Sequence, residues 1–189
     1  MKKYILMLAV ALSSTIFVGC DPETDEEAGG TEVEKMAGTW TVTFEQSVAE
    51  YYYIMGAGAD PNLTQMAPEE LDEQEWADIY GQGKLTVMSS NTAANVFTEM
   101  WLIDNSFWGT KIKCDVDYAA RTFKADAQTV YDGCEMQVIG GKVLEGAATT
   151  PRGVPADSIV AYVKYSDDQN GFTYMKMSGY RYTGYTQDQ

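Results

Sequence analysis

Along most of this chain the hydrophobic positions recur at every second residue. Trp40, Val42 and Phe44 alternate with Thr39, Thr41 and Thr43; Ile112, Cys114 and Val116 alternate with Lys111, Lys113, Asp115 and Asp117; Cys134, Met136 and Val138 alternate with Glu135 and Gln137. A period of two puts one side-chain set on each face of an extended backbone, so each run predicts a strand with one wet face. Similar runs occupy 84–89, 97–103, 121–126, 142–149, 158–165 and 173–185, and turn signals stand at Asp104-Asn105, Asp132-Gly133, Gly140-Gly141 and Asn170-Gly171. That makes about nine strands. With short connections and no helices between them, the pattern predicts an all-β fold, an antiparallel sheet that closes on itself because closure removes unpaired edges.

One stretch leaves the pattern. Gly56, Gly58, Pro61 and Pro68 precede the run from Glu69 to Tyr80, and Gly81 and Gly83 follow it. Proline at the start, acids in the first turn and glycine at the end predict one short helix of about three turns within the 56–83 insertion. Its few apolar residues, Leu71, Trp76, Ile79 and Tyr80, suit a helix lying across a barrel end or against the outer wall, as a lid or as surface decoration.

The N-terminus sets the compartment. Lys2 and Lys3 precede an apolar run, Ile5 to Val18, too short to span a bilayer, which ends at Phe17-Val18-Gly19-Cys20. This is the plan of a bacterial lipoprotein signal, although Phe17 and Val18 stand where leucine and a small residue are usual. It predicts loss of residues 1–19 and a membrane anchor on an acylated Cys20. Removing Lys2 and Lys3 moves the formal net charge from −15 to −17, and the remaining cations are scattered among 28 acids. Nucleic acid and bare anionic bilayer surfaces are therefore not expected as partners, because both need clustered Lys or Arg. Residues 21–35 carry one large apolar side chain, so 20–35 is expected as a solvated tether ahead of a single domain, 36–189. The spaced acids Asp21, Glu23 and Asp25 do not make a calcium loop, since Glu26 stands where that loop needs glycine.

Catalytic signals are mainly absent. The chain has no histidine, which removes Ser-His-Asp and Cys-His nucleophile pairs and histidine-bearing metal sites. It also has no Gly-x-Ser-x-Gly elbow, phosphate-binding glycine loop or Cys-x-x-Cys. No cofactor or metal is expected. Carboxylate pairs remain, drawn from Glu99, Asp104, Glu145 and Asp157, with solvated strand faces as the ordinary alternative. Glu99 is the acid to watch, because it shares parity with Phe97, Trp101 and Ile103 and would be costly beside them without a partner. Cys114 and Cys134 form an even pair in an oxidising route. A strand between theirs would separate them by about 9.6 Å, beyond the roughly 7 Å limit for a bridge, so two buried thiols are the simpler expectation.

Ala37-Gly38-Thr39-Trp40, Asn91 to Asn95, Glu99-Met100-Trp101, Phe107-Trp108, Gly141 to Leu144, Ala147 to Pro151, Ala156 to Ile159 and Ser178 to Tyr185 together resemble the Bacteroides lipoprotein family called lipid-binding putative hydrolases. The resemblance covers nearly all of 36–185; the 56–83 segment is longer than it implies. It implies a lipocalin-like, calycin-type β-barrel of about eight to nine strands and a lipid-like ligand. The acidic stretch after Cys20 resembles the export signal that sends lipoproteins of such bacteria to the cell surface. Gly38-x-Trp40 is similar to the lipocalin signature, in which a late-strand arginine covers the tryptophan, and Arg181 has the parity to do so.

A barrel of eight or more strands leaves room for one small ligand, and Trp101, Met136, Ala161 and Met175 are the expected lining. The same residues would equally fill a closed core. The expected function is a lipid-anchored, outer-membrane protein of the cell envelope that binds a small apolar or amphipathic molecule. Two other classes stand beside it: a surface module binding a protein or glycan through Tyr51-Tyr52-Tyr53 and the Tyr180, Tyr182, Tyr185 ladder, and a carboxylate hydrolase.

Overall fold

A computed structural model describes residues 30–56, 71 and 73–185. The signal 1–19, the anchor Cys20 and residues 57–70 lie outside them.

The strands are β1 (Gly38–Ser47), β2 (Trp76–Ala77), β3 (Leu85–Asn91), β4 (Glu99–Asp104), β5 (Thr110–Asp117), β6 (Thr122–Tyr131), β7 (Cys134–Thr149), β8 (Pro155–Tyr165) and β9 (Met175–Arg181), with one helix, α1 (Val48–Ile54), after β1. Every pairing is antiparallel, and β9 pairs back onto β1 from Gln46↔Met175 to Trp40↔Arg181. The result is a closed eight-stranded barrel with β2 as an extra strand outside the ring.

Two local expectations are corrected. Residues 134–138 and 142–149 form the single strand β7, and Gly140-Gly141 is not a turn but a place where β7 is irregular against β8. Gly141 is needed because a Cβ there would lie 2.3 Å from the Phe123 ring. The helix expected in 56–83 is not formed by its described part, where Trp76–Ala77 is β2. β3 reaches only Val42 on β1, which leaves the backbone beyond it with an open edge, and β2 pairs there with Gln46 and Ser47. The short helix comes earlier, where Ser47 caps it by accepting the Glu50 N–H at 3.3 Å.

Inward side chains from every strand of the ring join one apolar cluster. Met136, Ala161 and Met175 belong to it at 2, 0 and 1 % exposure, so the interior is filled where they stand. Trp101 points the other way. On β4 the buried set is Met100, Leu102 and Asp104, while Trp101 lies on the outer wall with Lys111 Nζ 4.2 Å from its ring centroid.

The end of the barrel where β1 begins is closed. Val33 and Met36 are fully buried in it, so the ordered domain starts ahead of the expected boundary and Val33 is not part of a solvated tether. Trp40 Nε1 donates to Ser89 Oγ at 2.8 Å, and that hydroxyl donates to the Met36 carbonyl. The Arg181 guanidinium sits 4.4 Å over the Trp40 ring, pairs with Asp157 at 3.1 Å, and donates to the Ala37 and Lys35 carbonyls. Gly38 makes room for it, since a Cβ there would meet Arg181 Nη1 at 2.3 Å. Cys114 and Cys134 are separate buried thiols, and burial pushes Cys114 up to about 12.

A candidate ligand cleft at the barrel mouth

The opposite end of the barrel is built by loops whose backbone N–H groups are held by polar side chains. Asp104, at the end of β4, accepts from Ser106 and Phe107 N at 2.9 and 2.8 Å through one oxygen and from Trp108 N at 2.7 Å through the other. Gln46, at the end of β1, accepts from Ile79 and Tyr80 N at 2.9 and 3.2 Å. Asp168 accepts from Asn170 and Phe172 N and from the Tyr80 hydroxyl at 2.7 Å. Glu50 of α1 accepts from Thr173 N at 2.9 Å. Each acceptor satisfies loop donors that would otherwise be orphaned, and each thereby fixes where the aromatic residues beside those donors stand.

Those aromatics meet over the top of the core. Phe107 stacks on Phe44 with centroids 4.4 Å apart, Trp108 stacks on Tyr165 at 4.7 Å, and Tyr80 contacts Phe107, Trp108 and Phe172. Beside this cluster opens a cleft of about 460 Å³, lined by Phe107, Trp108, Tyr131 and the run Asp167-Asp168-Gln169-Asn170. An adjoining lobe of about 360 Å³ shares Phe107, Trp108 and Asn170 and adds Tyr80 and Gln82.

The residues singled out from the sequence lie elsewhere. Trp101 is on the outer wall, and Met136, Ala161 and Met175 are in the filled interior. Glu99 shares the outward face of β4 with Trp101 and Ile103 and is not left unpaired there: it accepts from Thr92 Oγ1 and pairs with Lys113 at 3.1 Å. The Thr92 bond, then that of Lys113, holds its carboxyl below the usual range. Asp157 is taken by Arg181, Glu145 by Arg121, and Asp104 by its loop. The tyrosines of the proposed surface module divide between the two ends: Tyr51-Tyr52-Tyr53 are on α1 at the mouth, whereas Tyr180 pairs with Thr41 toward the closed end.

A family model described as lipid-binding putative hydrolase matches residues 25–186. The chain belongs to that family. No curated protein matches it. Asp167 accepts from Trp108 Nε1 at 2.8 Å, Tyr131 OH at 2.5 Å and Cys134 Sγ at 3.1 Å, and these bonds, Tyr131's first, hold its carboxyl below the usual range. Burial pushes the Cys134 thiol up, away from the thiolate a nucleophile needs.

Glu50 is the opposite case. It is 1 % exposed, its Oε2 has no partner among the described residues, and burial raises its carboxyl above the ordinary value. Folding therefore favours its proton. The contribution is fully present below the ordinary carboxylate range, about pH 4, and is lost as pH rises through the raised folded value. Glu50→Gln keeps an acceptor for Thr173 and removes the charge, so its stability relative to wild type should improve between about pH 4 and pH 8. Urea midpoints at both pH values test this, and an unchanged difference would refute it.

None of Gln46, Glu50, Asp167 and Asp168 was a site candidate on sequence grounds. The Asn170-Gly171 turn signal marked the loop; nothing marked what its neighbours hold.

Proposed function

We propose that this protein binds a small amphipathic, lipid-like molecule at the mouth cleft, and that it does so as a lipid-anchored protein of the cell envelope. The observation that carries the ligand reading is the open cleft with three aromatic walls above a filled core. Partly exposed rings held rigid by loop hydrogen bonds offer apolar area to a ligand at little further cost in ordering. The family supports a lipid as the ligand class. The burial of Met136, Ala161 and Met175 in the core cluster supports a site at the rim over one on the barrel axis. The anchor reading rests on Lys2, Lys3, the apolar run and Gly19-Cys20.

One preparation tests both parts. The full chain is expected in the membrane fraction of cells that express it, and the Cys20→Ala chain in the soluble fraction. Membrane retention of that variant would end the anchor. The soluble variant should take up a dodecyl chain carrying a neutral fluorophore, and adding Trp108→Ala should weaken uptake about tenfold. Uptake indifferent to Trp108→Ala would move the site elsewhere. Steady ester turnover lost in Asp167→Asn would favour the enzyme.

A further inference from the structure

We propose that the mouth cleft selects amphiphiles with a cationic, quaternary-ammonium-type head group. This rests on the binding reading above and names the ligand class for the same site. The walls supply the first reason: Phe107, Trp108 and Tyr131 present aromatic surface, and Tyr131 is 40 % exposed. Ring faces attract a large, weakly hydrated cation through their quadrupole, and aromatic enclosures are a general means of holding methylated ammonium groups.

Charge supplies the second. Asp167 and Asp168 stand side by side in the lining, and among the described residues no lysine or arginine lines the cleft. Their hydrogen-bond donors are phenol, indole, thiol and backbone amide, all neutral. The ion pairs among the described residues use Glu99, Glu145 and Asp157 instead. The donors fix the two carboxylates in place without cancelling their charge. A fatty-acid carboxylate or a bare phosphate would enter against two negative groups, whereas an ammonium enters with them. Gln169 is the exposed member of the lining whose side chain holds no loop bond, so it can be changed without loosening the aromatic cluster.

Calorimetric titration of the full Cys20→Ala chain, below micelle-forming concentrations, tests this with three probes of one chain length. Dodecyltrimethylammonium should bind at least about tenfold tighter than dodecyl sulfate, with dodecyl maltoside between them, and the preference should narrow as salt is added. Gln169→Lys should erase the preference and Gln169→Glu should widen it. Asp126→Asn makes the same net-charge change as Gln169→Lys at an exposed position outside the cleft, and should leave the preference intact. Equal binding of the sulfate would overturn the proposal, and so would an equal effect of Asp126→Asn, which would show attraction to the acidic protein as a whole. If none of the three binds, the binding function itself falls. Tetramethylammonium bound as tightly as its dodecyl counterpart would support the head-group selection and remove the lipid from the function.

Discussion

Trp40→Ala should cost the domain about 3–5 kcal/mol of unfolding free energy, the range for deleting a fully buried large aromatic. The side chain has no exposed surface, and three separate interactions converge on it. Its ring fills the closed end beside Met36, its Nε1 is tied to Ser89, and its face carries the Arg181 guanidinium. Alanine leaves a cavity, an unpaired Ser89 contact and a guanidinium without its ring. Arg181→Lys gives the companion measurement. Lysine keeps the charge but cannot stack flat or reach Asp157, the Ala37 carbonyl and the Lys35 carbonyl together, so a loss of about 0.5–2 kcal/mol is expected. Guanidinium denaturation reads both. A Trp40→Ala loss below about 1 kcal/mol would show that the closed end relaxes around the gap and that its seal does not hold the barrel together.

Asp104→Ala is the second large effect, and it should act on stability and site at once. The carboxylate is 3 % exposed and accepts three backbone N–H bonds, so its removal orphans three donors in one turn. An unsatisfied buried donor costs about 1–3 kcal/mol; with the loop partly open to water, a total of about 3 kcal/mol is expected. Phe107 and Trp108 would lose the constraint that aims them, so ligand uptake should fall along with the denaturation midpoint. Asp104→Asn keeps one acceptor oxygen and should lie between, retaining the Ser106 and Phe107 bonds and losing that of Trp108. Wild-type uptake and midpoint in Asp104→Ala would mean that packing on Phe44 and Tyr165 alone positions these rings.

The strand pattern was legible because a period of two needs only the alternation of water and core. β1, β3, β4, β5, β6, β8 and β9 each lie on a run that alternates or reads as extended. The alternation does not say which face is inside. On β4, Trp101 and Ile103, with Phe97 before them, looked like the apolar set, yet Met100, Leu102 and Asp104 face the core, because a buried aspartate with three donors is compatible with the interior and a tryptophan under a lysine is compatible with the outer wall. Parity identified the two candidate sets, and packing chose between them. The Gly140-Gly141 pair shows the same limit for turns. Glycine marks a turn or a close approach, and here Phe123 decided for the latter.

By itself the sequence determined an all-β chain, the first and last strands carrying Trp40 and Arg181 on one parity, and the lack of histidine for catalysis, because these follow from composition and local period. Only the tertiary structure decided that Met136, Ala161 and Met175 are buried in the core, that β2 and not a helix occupies Trp76–Ala77, and that polar side chains from β1, α1, the end of β4 and the loop before β9 draw backbone donors into one aromatic cleft. The physical reason is that a side-chain acceptor satisfies whichever backbone donors the closed barrel brings to it. Glu50 meets Thr173 through the closure of β9 onto β1, and Gln46 meets Ile79 through the pairing of β2 with the free edge of β1, relations that no short window of sequence contains.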